Sequence, residues 1–75
     1  MKELVLFIVQ RLTEKPDAVS VSEFQDGDTA VLKLVVAEED KGKVIGKQGK
    51  VIKAIRAVVG VAASKAGKKV AVEID

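Results

Sequence analysis

Val44-Ile45-Gly46-Lys47-Gln48-Gly49-Lys50-Val51-Ile52 is the segment that decides how this 75-residue chain folds. Two glycines stand three positions apart with two polar residues between them, and apolar pairs flank the group. Every charged residue from Lys41 to Arg56 is basic: Lys41, Lys43, Lys47, Lys50, Lys53 and Arg56. Glycine lacks a Cβ and lets another chain approach its backbone closely, so positive charge and backbone access coincide here.

On the N-terminal side, Glu38-Glu39-Asp40 sets three carboxylates where a helix begins, as the helix dipole favours. A short helix carrying Lys41, Lys43, Val44 and Ile45 follows and stops at Gly46. On the other side a longer helix is predicted from about Lys50 to Ala66, with Val51, Ile55, Val58, Val59 and Ala62 on its apolar side. Gly67 is its C-terminal cap. Gly60 lies inside it at a cost of roughly 1 kcal/mol relative to Ala, and close packing against the sheet or another helix is the expected reason. Lys65, Lys68 and Lys69 surround its end, where the dipole favours cations.

Three strands complete the pattern. Val19 to Gln25 alternates and ends at the turn Asp26-Gly27-Asp28, and Thr29 to Ala37 is nearly apolar on both faces, as a central strand requires. Val70, Val72 and Ile74 alternate within the last strand, Lys68 to Asp75. Lys2 to Glu14 reads as a helix with Leu4, Ile8 and Leu12 at spacing four, stopped by Lys15-Pro16-Asp17. Its Val5, Leu6, Phe7 and Val9 widen the apolar surface beyond what so small a domain is expected to cover. An interface with a second copy or a larger partner is therefore expected on this helix. The order is helix, strand, strand, helix, helix, strand. A right-handed crossover sets the last strand parallel to the second, which predicts an α+β fold: a three-stranded mixed sheet with helices on one face.

Composition supports one small domain over residues 1–75. The chain is 48% hydrophobic and 32% charged and has no cysteine, so neither a disulfide nor a thiolate metal site contributes. The net charge of +2 hides an asymmetry: residues 1–40 carry four basic and nine acidic side chains, net −5, and residues 41–75 carry nine and two, net +7. A polyanionic partner is expected for the second half. The apolar run from Leu4 to Val9 has no cleavage site after it and falls far short of the roughly 20 residues that span a bilayer. A cytoplasmic location is the default.

The glycine pattern excludes two nucleotide-binding loops. Gly42 and Gly46 have three residues between them rather than four, Lys47 is followed by Gln48 rather than Ser or Thr, and the loop joins two helices rather than a strand and a helix. Two glycines between helices instead suit a sugar-phosphate chain lying on the backbone, with the amides of the next helix directed at its phosphates.

The segment from Val44 to Ile52 resembles the core of a KH domain, and the element order matches the type II form of that domain. Along its whole length, including Gly42-Lys43-Val44-Ile45-Gly46-Lys47-Gln48-Gly49 and Ile52-Lys53-Ala54-Ile55-Arg56, the chain is similar to the bacterial KhpA-type proteins, small single-KH RNA-binding proteins. The resemblance implies a groove for about four nucleotides of single strand. Gly46, Lys47, Gln48 and Gly49 would face the strand's backbone, with Lys43, Lys50 and Lys53 adding charge. Val44, Ile45 and Ile52 would line the floor under the bases, and the third strand near Val70 to Val72 would form the opposite wall. It further implies an RNA chaperone or post-transcriptional regulator, a second KH protein of the KhpB (Jag) type as partner, and a link to cell-envelope and cell-shape control.

No catalytic constellation competes with this reading. His, Cys and Tyr are absent, and capping explains Glu38, Glu39 and Asp40 better than acid-base chemistry; neither a cofactor nor a metal is expected. The alternative is a protein–protein scaffold or dimerisation module with a KH-like fold. Phe7 and Phe24 are the only aromatic residues, so without a stacking platform binding should be modest, salt-sensitive and weakly selective. RNA and single-stranded DNA both fit such a groove.

Overall fold

Leu32 and Leu34 mark the centre of the molecule, both fully buried on the second strand of the sheet. The computed structural model describes residues 1–75. Its elements are α1 (Lys2–Leu12), β1 (Ser20–Asp26), β2 (Thr29–Val35), α2 (Lys41–Ile45), α3 (Lys50–Lys65) and β3 (Lys69–Ile74). Short 3-10 turns occupy Pro16–Ala18, Glu38–Asp40 and Lys47–Gly49. α1 stops two residues before the expected Glu14, because Thr13 already takes an extended conformation (φ −105°, ψ 150°).

The sheet runs β1-β2-β3. β1 and β2 pair antiparallel from Ser20↔Val35 to Asp26↔Thr29 around Gly27, whose φ of 62° suits glycine at a tight hairpin. β2 and β3 pair parallel from Thr29↔Lys69 to Leu34↔Ile74. This is the mixed α+β sheet of a type II KH fold, with the strand order and directions that alternation and the crossover rule lead one to expect.

Eleven buried side chains form the core: Val5 and Val9 of α1, Val19, Leu32, Leu34 and Val36 along the first two strands, Val44 of α2, Ile52, Ile55 and Val59 of α3, and Val72 of β3. Burying each aliphatic side chain of this size contributes about 1.5–3 kcal/mol. Val31 is also buried but lies outside that cluster, on the opposite sheet face, paired with Phe24 on β1 and Ala71 on β3.

Two expectations about helix faces are corrected. Val5 and Val9 are completely buried and Leu4, Leu6 and Ile8 pack partly against the core, leaving Phe7 and Leu12 as the exposed large apolar residues of α1. Val5 and Val9 belong to the core cluster, so the uncovered apolar surface of α1 is narrower than expected and reduces to Phe7 and Leu12. On α3 the core stripe is Ile52, Ile55, Val59 and Ala63, whereas Val58 and Val61 are 51% and 59% exposed. With apolar residues on several faces of α3, periodicity alone permits more than one stripe, and the sheet selects one.

Candidate nucleic-acid interface

α2 ends because Gly46 leaves the helical region at φ 78° and ψ 171°, while its N–H still donates to the Gly42 carbonyl at 2.8 Å. Gly49 follows at φ 76° and ψ 15°, its N–H donating to the Gly46 carbonyl at 3.1 Å. The two glycines serve different ends. A Cβ on Gly46 would lie 2.4 Å from Cγ2 of Val51, inside the loop's own packing; one on Gly49 would meet nothing nearer than Lys53 Cε at 3.9 Å. A side chain at Gly49 would thus clash with nothing and sit in ordinary contact with Lys53 and Ile52.

Gln48 is the one residue other than glycine with a positive φ, at 58°. Left-handed backbone is unfavourable for a side-chain-bearing residue by roughly 1–2 kcal/mol, and it turns the exposed Gln48 outward at the tip of the loop. α3 begins directly after it at Lys50, whose N–H donates to the Lys47 carbonyl, and the positive end of the helix dipole lies at the loop.

The lysines sort into two groups. Lys43 donates to a carboxylate oxygen of Glu14, which holds its ammonium pKa above the ordinary lysine value, and Lys41 pairs with Glu38 at 3.2 Å. Lys47, Lys50 and Lys53 are exposed and enter none of the five ion pairs. The basic run thus presents three uncommitted cations around the loop. Of the three apolar residues expected on the groove floor, Val44 is fully buried and Ile52 is 5% exposed, so both belong to the core. Ile45, at 36%, is the one that offers surface.

Asp40 has a position that linear reasoning missed. It is the only buried charged residue, at 1% exposure, and it does not cap α2 with its side chain. Its two carboxylate oxygens accept the backbone N–H groups of Glu14 and Lys15, each at 3.1 Å. That fastens the segment after α1 to the start of α2 and sets Glu14 beside Lys43. Lys15 also pairs with Glu39 at 2.7 Å; the bond raises the Lys15 pKa and lowers that of Glu39. No local signal marks Asp40, because its partners lie 25 and 26 residues away.

Arg56 reaches across to the third strand. Its Nε donates to the Val72 carbonyl at 3.0 Å, linking α3 to the strand expected as the opposite wall. The C-terminal lysines stand apart from the loop, at the far end of the 16-residue α3, about 24 Å along the helix axis. Lys69 pairs there with Asp28 at 3.1 Å, and Lys68 lines a cleft with Glu23, Gln25 and Gly67. Of the three lysines at that end only Lys69 is paired; Lys65 and Lys68 enter no ion pair. No helix is long and apolar enough to cross a membrane.

Residues 2–74 match the model of the KhpA/KhpB KH domain. The chain belongs to that family. RNA-binding protein KhpA of Clostridium perfringens is 54% identical over 74 residues, covering 99% of both chains. RNA-binding protein KhpA of Clostridium acetobutylicum is 51% identical over the same length, again covering 99% of both. Among solved structures, Aquifex aeolicus Era bound to GDP and aluminium fluoride superimposes with a TM-score of 0.61 at 25% identity, over 97% of this chain and 28% of Era. Era in complex with MgGDPNP and a segment of 16S ribosomal RNA gives 0.62 with the same identity and coverage.

Proposed function

We propose that residues 1–75 act as one KH unit that binds single-stranded RNA in the cytoplasm through the Gly46–Gly49 loop. The observation that carries this reading is the uncrowded Gly49 among three unpaired lysines at the start of α3. A phosphodiester backbone fits there: glycine admits it, Lys47, Lys50 and Lys53 neutralise it, and the positive end of the α3 dipole faces it. Gln48 donates without base preference, Lys43 contributes once released from Glu14, and Ile45 gives the bases an apolar contact. The names of the KhpA relatives and the Era complex with ribosomal RNA support a nucleic-acid role. In the cell this activity would be that of an RNA chaperone or post-transcriptional regulator tied to cell-envelope and cell-shape control, with a KhpB-type partner.

The test is binding of labelled single-stranded RNA by the native chain and by the Lys47→Asp, Gln48→Asp double variant, with folding checked by circular dichroism. Aspartate tolerates left-handed backbone better than most residues, so the variant should fold. Loss of binding in the variant alone supports the clamp; equal binding by both refutes it.

A protein contact has its own observation. Val58 and Val61 are more than half exposed on one side of α3, so a second copy or a KH partner is expected to cover α3. Gel filtration of Val61→Asp against the native chain tests it, since a charge there should leave a monomer.

A further inference from the structure

β1 pairs with β2 on one side and with nothing on the other, and along Ser20–Asp26 every residue except the half-buried Val21 is exposed. The hairpin fixes which of its backbone groups are free. Gly27 and Asp28 form a two-residue turn, so Asp26 and Thr29 are a hydrogen-bonded pair, and Phe24, Ser22 and Ser20 bond to β2 in the same way at every second position. The N–H and C=O groups of Val21, Glu23 and Gln25 therefore point away from the sheet. None of them bonds to a loop, a helix or a side chain.

Edge strands are commonly closed to further pairing by lysine, proline or a bulge. β1 has none of these: its register with β2 is unbroken, and its charges are Glu23 and Asp26, neither in an ion pair. The opposite edge differs. Arg56 of α3 donates to the Val72 carbonyl of β3, so that edge is already engaged. Farther along α3, Gly60 is exposed and a Cβ there would meet no atom within 4 Å, so the close packing expected of it is absent.

The two faces beside β1 are unlike. Val21, Glu23 and Gln25 lie on the helix side, opposite Leu34, Leu32 and Ala30, and Ser22, Phe24 and Asp26 lie on the other. On the helix side a cleft of about 380 Å³ is lined by Glu23, Gln25 and Ala30 of the sheet and by Gly67 and Lys68 beyond α3. On the other side Phe24 is 49% exposed and begins the row Phe24–Val31–Ala71 across the three strands. A strand laid along β1 thus meets a carboxylate at the cleft on one face and an aromatic ring on the other.

We propose that β1 takes up an extended segment of a partner protein as a fourth, antiparallel strand, and that this segment alternates cationic with apolar residues. Its cations oppose Glu23 on the helix side and reach the cleft, and its apolar residues cover Phe24. Main-chain bonds to Val21, Glu23 and Gln25 supply the affinity, and the side chains supply the choice of partner. The carboxylates disfavour a second copy, because β1 carries no cation and pairing it with itself sets one acidic strand against another.

The test is the peptide acetyl-Arg-Val-Arg-Val-Arg-Val-amide added to the isotope-labelled chain, with affinity taken from NMR shifts and hydrogen exchange read at single amides. At a free peptide concentration about tenfold above Kd, exchange at Val21, Glu23 and Gln25 should slow about tenfold, while Ser22 and Phe24, already bonded to β2, should not change. Acetyl-Arg-Arg-Arg-Val-Val-Val-amide, which has the same charge, and the alternating peptide N-methylated at its arginines should each bind at least about tenfold more weakly. Gln25→Pro removes an outward N–H without touching a bond to β2, and Glu23→Lys reverses the charge beside the cleft; each should weaken the alternating peptide about tenfold. Equal binding of the three peptides, or binding that leaves the Val21, Glu23 and Gln25 amides unprotected, means charge attraction alone and overturns the added strand. Slow exchange at those amides before any peptide is added means that a second copy already covers the edge, which also overturns it, as does the absence of binding.

Discussion

Gly46 and Val51 are packed so closely that a Cβ on the glycine would lie 2.8 Å from the backbone nitrogen of Val51 as well as 2.4 Å from its Cγ2. Backbone cannot swing aside as a flexible side chain can. Gly46→Ala should therefore lower stability by about 3 kcal/mol, combining steric overlap with a φ/ψ region that suits glycine. Gly49→Ala meets no such contact and should lose about 1 kcal/mol for its left-handed backbone. Urea denaturation separates the two; equal losses would show that the loop relaxes around either methyl. RNA affinity should fall in Gly49→Ala even where the chain is fully folded.

Glu14 and an RNA phosphate compete for Lys43. Single-strand binding weakens with salt by about 0.7 in log–log slope per phosphate contacted. Three uncommitted lysines predict a slope near −2 for the native chain. Glu14→Gln should release Lys43, tighten binding at low salt and steepen the slope by about 0.7. The fold should persist, because the Glu14 backbone N–H still donates to Asp40. An unchanged slope in a titration of affinity against salt would exclude Lys43 from the phosphate path.

Asp40→Ala removes the acceptor for two backbone N–H groups at once. Hydrogen bonds to a charged group contribute about 1.5–3 kcal/mol each, so the variant should lose at least about 3 kcal/mol in urea. Asp40→Asn keeps one acceptor oxygen and should fall between the two. Hydrogen exchange at the Glu14 and Lys15 amides should quicken in Asp40→Ala more than at the amides of the sheet.

The Lys15–Glu39 pair gives a pH dependence with a definite sign. The bond lowers the Glu39 pKa, so its stabilisation is present above the unfolded carboxyl value and is lost as pH falls through the depressed folded value. Lys15 is raised, so the same contribution is lost at high pH, on passing through its folded value. Carbon-detected NMR titration of Glu39 should show its midpoint move upward in Lys15→Gln. An unmoved midpoint would mean that the pair does not persist in solution. Both groups are exposed, so added salt should diminish the difference.

Much of this architecture was legible in linear order because the relevant periods are local. The alternation of Val70, Val72 and Ile74 marked β3, the doubly apolar run from Val31 to Val36 marked the central strand, and Gly46 and Gly49 marked the break between α2 and α3. The loop's open conformation also followed from local chemistry, since positive φ angles at Gly46 and Gly49 are what glycine permits most easily. Helix ends were less legible: Pro16 announces that α1 stops, but the extended Thr13 ends it before Glu14.

What the sequence determined by itself was the order of elements, the place of the loop and the sign of the charge around it, all set by residues within a few positions of one another. Tertiary structure alone decided which partner each polar group finds and which apolar groups stay outside. Asp40 became a buried clamp, Glu14 took Lys43 out of the basic run, Arg56 reached Val72, and Val58 rather than Val5 remained exposed. Each of these outcomes depends on chain segments at least 16 residues apart meeting in space, and spacing along the chain holds no record of such meetings until the sheet assembles and the helices settle on one of its faces.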